Sequence, residues 1–215
     1  MKALEVDLFF SLRSPWSYFA AAKLLPIQQA YAVDIHLRVV DPIYIRIPDF
    51  FERAHEKWKP YLLTDLIRSS EYFDIPIALP RPDPIDQSLP ADSQQHLVLQ
   101  LNPLGIAAQQ AGHGLAFAQA ISAMVWDGSI DGWNSGEHLA QATQKTGLDL
   151  SELQQWIDNH QAQWPELLAA NNAALEQHHW GVPTMLFDGE PFFGQDKIDQ
   201  LLWRLKQKGL QPRSS

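Results

Sequence analysis

Ser11-Leu12-Arg13-Ser14-Pro15-Trp16-Ser17-Tyr18 is the stretch on which the fold turns. Upstream, Leu4-Glu5-Val6-Asp7-Leu8-Phe9-Phe10 alternates and then becomes continuously apolar, as a strand entering a core does. Pro15 suits the first position of a helix, with Ser14 as its cap. The helix runs through Tyr18, Phe19, Ala22 and Leu25 to about Tyr31, with a weak point expected at Pro26. A second strand is expected at Ile35-His36-Leu37-Arg38-Val39-Val40. Strand, helix and strand at this spacing form a parallel crossover unit.

Beyond Asp41 the pattern changes to helices and loops. Phe50 to Phe73 has helical periodicity, interrupted at Pro60. Ile75 to Pro84 is too proline-rich for regular structure and reads as an extended loop. A buried helix is expected from Gly114 to Trp126. Others are capped by Ser135 (through Lys145) and Ser151 (through Ile157), and one is opened by Pro165 and runs to His178. Alternation then returns. Thr184-Met185-Leu186-Phe187 and Glu190-Pro191-Phe192-Phe193 flank the hairpin signal Asp188-Gly189, and Gln195 to Lys208 is an amphipathic helix. The order is β-α-β, a helical insertion, then β-β-α. The expected organisation is a discontinuous α/β domain of residues 1–41 and 178–215, split by an insertion of residues 42–177.

The 215 residues suit one core fold with a sizeable insertion. A net charge of -9 without basic clusters argues against nucleic acid and anionic membranes as partners. No apolar run approaches the roughly 20 residues of a membrane span, and the opening lacks a signal-peptide layout. A soluble cytoplasmic protein is expected. Cysteine is absent, which removes disulfides, thiolate metal sites and a protein thiol nucleophile. No metal site is expected. His178-His179 reads as a helix end complementing its dipole, and no Asp or Glu stands out as set to have a raised pKa.

Three segments carry chemistry. In thioredoxin-like oxidoreductases the turn at Ser14-Pro15-Trp16-Ser17 reads Cys-x-x-Cys. Its first thiol sits where the helix dipole and free N–H groups favour an anion. With serine there, redox chemistry is gone, but the field remains for a thiolate brought by a small molecule, and a hydroxyl can donate to it. Alone, the two serines read equally as a cap and its neighbour. Gly181-Val182-Pro183-Thr184 stands where such proteins carry a cis-proline, which would leave the Val182 backbone free to pair with an extended peptide ligand. Phe192-Phe193-Gly194-Gln195-Asp196-Lys197 opens the last helix. Its N–H groups suit a carboxylate, and Asp196 suits an amino group.

Phe10 to Tyr18, Gly181 to Met185 and Phe193 to Lys197 together resemble the hallmark segments of kappa-class glutathione transferases and 2-hydroxychromene-2-carboxylate isomerases. The likeness spans nearly the whole chain. It implies a thioredoxin-like β-α-β and β-β-α core with a large all-helical insertion, glutathione as co-substrate, and a homodimer. It also implies roles. Ser14 would hold the glutathione thiolate, Val182 would pair with the tripeptide beside cis Pro183, and Gln195 and Asp196 would take the γ-glutamyl end. Lys59, or else Lys57, would help hold the tripeptide, and Trp16 would wall a pocket for a small aromatic electrophile. Two departures are evident: Ser11 where the family has Asp, and Lys197 for the commoner Arg. The competing reading is a redox-inactive peptide-binding or interaction module.

Overall fold

A computed structural model of the chain describes residues 3–86, 88–90 and 96–213. Met1, Lys2, Ser214 and Ser215, the outer bounds of the expected split domain, lie outside these residues. The elements in order are strand β1 (Leu4–Phe10), helix α1 (Pro15–Ala30), strand β2 (Val33–Val39) and the short helices α2 (Ile43–Arg46) and α3 (Phe50–Arg53). Helices α4 (Trp58–Phe73), α5 (His96–Gln110), α6 (Gly114–Trp126), α7 (His138–Gln144), α8 (Leu150–Asn159) and α9 (Gln163–His178) follow. Strands β3 (Thr184–Phe187) and β4 (Glu190–Phe193), a 3-10 turn (Gln195–Lys197) and helix α10 (Ile198–Gln207) complete the chain.

The four strands form one sheet in the order β2-β1-β3-β4. β1 and β2 are parallel, whereas β3 runs antiparallel to both β1 and β4. This is the expected thioredoxin-like α/β core with its helical insertion. Alternate residues of β2 (Val33, Ile35, Leu37, Val39) are buried, so its period-2 pattern faces a core. That core is continuous from the strands into the insertion. Phe10, Phe19 and Leu37 belong to the same apolar cluster as Leu101, Phe117, Ile121 and Trp133.

β2 is an edge strand, and side chains close its open rim. Gln109 Oε1 accepts the Leu37 N–H at 2.8 Å, Gln28 Oε1 accepts that of Ile35 at 2.8 Å, and Asn171 donates to the Val39 carbonyl at 3.0 Å. An edge satisfied in this way offers no template for another strand. Glycines let the insertion approach closely. A Cβ at Gly105 would lie 2.9 Å from Val39, and one at Gly114 2.9 Å from Leu37.

The structure corrects several local expectations. The break before α4 lies at residues 54–57, not at Pro60. Pro60 falls in the first turn of α4, where a missing N–H costs no intrahelical bond. α7 is preceded by Glu137 rather than capped by Ser135, whose hydroxyl donates to the Gly132 carbonyl instead. α8 is capped by Asp149, which accepts from the N–H groups of Ser151 and Glu152. α9 begins at Gln163, with Pro165 inside its first turn. α1 runs through Pro26 to Ala30, close to the expected end. α5 has no counterpart in the sequence reading, because Pro103 and Gly105 both speak against helix.

Candidate active site

Ser14 sits at the N-cap of α1 in an extended conformation, and its Oγ accepts the Ser17 N–H at 3.2 Å. Its own N–H donates to the Ser11 carbonyl at 3.0 Å, closing the turn. As an acceptor in the cap, the Ser14 hydroxyl keeps its hydrogen free to donate. Ser17 is fully buried. The hydroxyls of Ser11 and Ser17 are both buried without a partner among the described residues.

Strand pairing brings the three segments to one end of the sheet. Phe9 of β1 pairs with Thr184 of β3, and Thr184 pairs with Phe193 of β4. The turn after β1, the residues before β3 and the residues after β4 therefore share that end. The Val182–Pro183 peptide bond is cis. The Pro183 carbonyl accepts the Gly194 N–H at 2.9 Å, and the Gly181 carbonyl accepts the Thr184 hydroxyl at 2.8 Å. Between them, the N–H and C=O of Val182 have no hydrogen-bond partner among the described residues.

Gln195 is nearly buried, and its carbonyl accepts from Lys23 Nζ of α1 at 3.1 Å. Lys23 also lies 4.3 Å from the Phe73 ring centroid, so one cation ties α1, the 3-10 turn and the end of α4 together. The Asp196 carboxylate pairs with Lys197 at 2.9 Å and crowds Gly194, whose φ of 102° admits no other residue easily. Trp16 packs against Phe19, with ring centroids 6.1 Å apart. Lys59 lies in the first turn of α4 with Nζ 5.9 Å from the Phe51 ring, and Lys57 precedes that helix. A chain of rings, Phe51 to Phe50 at 5.4 Å and Phe50 to Trp180 at 5.1 Å, connects Lys59 with the residues before cis Pro183.

Other contacts could not be read from local pattern. The proline-rich loop is irregular, as expected, but it is pinned across the turn. Its prolines lack donors, so carbonyls make most of these contacts, although the Ala78 N–H donates to the Trp126 carbonyl at 2.6 Å. Pro76 accepts from the Tyr18 hydroxyl at 3.2 Å, Arg81 from the Gly132 N–H at 2.8 Å, and Pro82 from the Trp133 indole at 2.8 Å. Asp83 takes Arg13, the neighbour of Ser14, in a two-pronged ion pair at 3.1 and 2.7 Å. Burial, together with the negative charge of Asp127, pushes the Tyr18 hydroxyl up to about 12.

At the end of β2, Asp41 is an exception to the expectation that no carboxyl has a raised pKa. Burial pushes it up, against the opposing pull of Asn172, Arg46 and Asn102. The Asn102 and Asn172 amides donate to its two oxygens at 2.9 and 2.7 Å. Arg46 donates through Nε to the Asp41 carbonyl at 2.8 Å and through Nη2 to that of Trp180 at 3.0 Å. The only sequence signal for this network is a charged residue at a strand end. Among the described residues, no group of three or more His, Asp or Glu is placed to hold a metal. None of the described helices is long and apolar enough to cross a membrane.

Comparison with known proteins agrees with this architecture. Residues 5–206 match the family model described as a DSBA-like thioredoxin domain. The chain is 26% identical over 205 residues to a 2-hydroxychromene-2-carboxylate isomerase of Pseudomonas putida, covering 91% of each chain. It is 23% identical over 200 residues to the same enzyme of Sphingobium xenophagum, covering 91% of this chain and 95% of the other. Among solved structures, a 2-hydroxychromene-2-carboxylate isomerase superposes with a TM-score of 0.67 at 20% identity over 95% of both chains. The cytosolic disulfide reductase DsbM of Pseudomonas aeruginosa superposes with 0.61 at 12% identity, over 95% of this chain and 99% of that one. With strand order, crossover and chain-long matches in agreement, the chain belongs to the DSBA-like thioredoxin-domain family and is related within it to the 2-hydroxychromene-2-carboxylate isomerases.

Proposed function

We propose that the protein is a glutathione-dependent isomerase or transferase acting on a small aromatic electrophile. The isomerase reading is favoured by the names of its relatives. The observation that carries it is a free hydroxyl donor at the α1 N-cap, at the same sheet end as the unpaired Val182 backbone. The residues present fit the tripeptide. Val182 offers one N–H and one C=O, the complement of an extended peptide. The turn at Gln195 and Asp196 offers backbone donors and a carboxylate to the γ-glutamyl group. Lys59, or Lys57, is the proposed cation for the remaining carboxylate, and Trp16 the proposed wall for the electrophile.

Bound glutathione would supply a thiol nucleophile. The task of Ser14 is to donate a hydrogen bond to its sulfur, while the α1 N-terminus favours the anion. The two together hold the thiol below the roughly 8.5 of a free cysteine. Cytoplasmic residence and a homodimer belong to the same proposal, and sedimentation would check the dimer.

Titration calorimetry with glutathione tests the site, and turnover of 2-hydroxychromene-2-carboxylate tests the reaction. Ser14→Ala removes both the cap and the hydroxyl, and is expected to cost about 1 kcal/mol of stability. Ser14→Gly removes the hydroxyl but costs only a few tenths at an N-cap. In that variant the bound thiol's pKa should rise while the urea midpoint stays near that of the parent. An unchanged thiol pKa would remove Ser14 from the mechanism. Peptide binding with no response to glutathione would instead support an interaction module, which the unpaired Val182 backbone would serve equally well.

A further inference from the structure

His179, read from the sequence only as part of a helix end, has no part in the proposed glutathione site, yet it touches both segments that flank Val182. It terminates α9, its N–H donating to the Leu175 carbonyl at 2.7 Å, and its ring turns forward over the next residues. Nδ1 accepts the Gly181 N–H at 2.9 Å. The same ring stacks on Phe193, the last residue of β4, with centroids 3.9 Å apart and planes at 23°. Gly181 completes the packing, because a Cβ there would lie 2.6 Å from Phe193 Cε2 and 3.5 Å from His179 Nδ1. A side chain at Gly181 would have to push the Phe193 ring aside.

We infer that His179 is a positioning residue, whose ring locks the Gly181-Val182-Pro183 segment to the end of β4 and so sets the Val182 backbone at the register a tripeptide must meet. The inference rests on the glutathione reading and deepens it. The hydrogen bonds around Val182 give the reason. The Gly181 N–H goes to His179, the Gly181 carbonyl to Thr184, and the Pro183 carbonyl to Gly194. Every backbone group that could shift the Val182 peptide is thereby held, while the two on Val182 itself are left open. A group held beforehand loses less freedom on binding, which is how fixed geometry becomes affinity.

Acceptance at Nδ1 requires the neutral ring with its proton on Nε2. Burial disfavours the charged form here and lowers the His179 pKa, consistent with a neutral ring.

The first test uses the unaltered protein. A 15N–15N scalar coupling across the Gly181 N–H and His179 Nδ1 should be detectable. Its absence, with a freely exchanging Gly181 amide, would overturn the assignment. The second test measures the dissociation constant for glutathione in His179→Phe, which keeps a stacking ring and lacks an acceptor, and in His179→Asn, which keeps an acceptor. His179→Phe should weaken binding by about tenfold, the worth of one lost hydrogen bond, and His179→Asn should recover most of it. Equal binding by His179→Phe and the parent overturns the role of His179 while the glutathione site stands. No binding by the parent removes the site itself, whatever the coupling shows.

Discussion

At the residue scale, the pinned loop gives Tyr18 a pH-dependent part in stability. Its hydroxyl donates to the Pro76 carbonyl, and burial beside Asp127 pushes it up to about 12 from the ordinary 10.0. The unfolded chain therefore loses this proton first. The stabilising contribution of Tyr18 is fully present below pH 10 and is lost as pH rises from 10 towards 12. Urea titrations between pH 9 and 12 should show Tyr18→Phe losing less stability with alkalinity than the parent. Parallel curves would mean that Tyr18 ionises alike in both states.

At the element scale, the rim of β2 shows why distant polar residues matter to a strand. The Leu37 N–H would face no strand partner, and Gln109 of α5 supplies the acceptor. Gln109→Ala should leave that buried donor unpaired and cost about 1–3 kcal/mol. Amide exchange at Leu37 would speed up beyond what global destabilisation explains. Unchanged exchange would mean that water or another side chain takes over. The strand itself was legible from period-2 alternation. The Gln109 contact was not, because 72 residues separate the partners and glutamine carries no positional signal. Helix ends were legible to within a few residues, yet their caps were misassigned where two candidates lay close together. Asp149 is two residues before Ser151, and both are good caps.

At the scale of the whole molecule, Asp41 is the seam between strand and insertion. Asn172 of α9 accepts the Asp41 N–H at 3.0 Å through Oδ1 and donates to its carboxylate, while Asn102 of α5 donates to the other oxygen. Removing one donor from this half-buried carboxylate leaves its charge less well compensated. Asn172→Ala should cost about 2 kcal/mol or more and push the Asp41 carboxyl further up. NMR titration of Asp41 and equilibrium unfolding would check both parts, and an unaltered Asp41 titration would refute the coupling.

The sequence by itself determined the order of the sheet-forming elements around a helical insertion, the parallel crossover, the cap at Ser14 and the loss of any cysteine chemistry. These depend on local dihedral preference, hydrophobic period and composition, which neighbouring residues carry. Only the tertiary structure decided that the segments around Ser14, Val182 and Gln195 share one sheet end, since strand register between residues 9 and 184 is written in no local pattern. It alone showed Arg13 bound to Asp83, Asp41 held between two amides, and the His179 ring folded between two segments. A polar side chain declares its partner only when the fold brings one within about 3 Å.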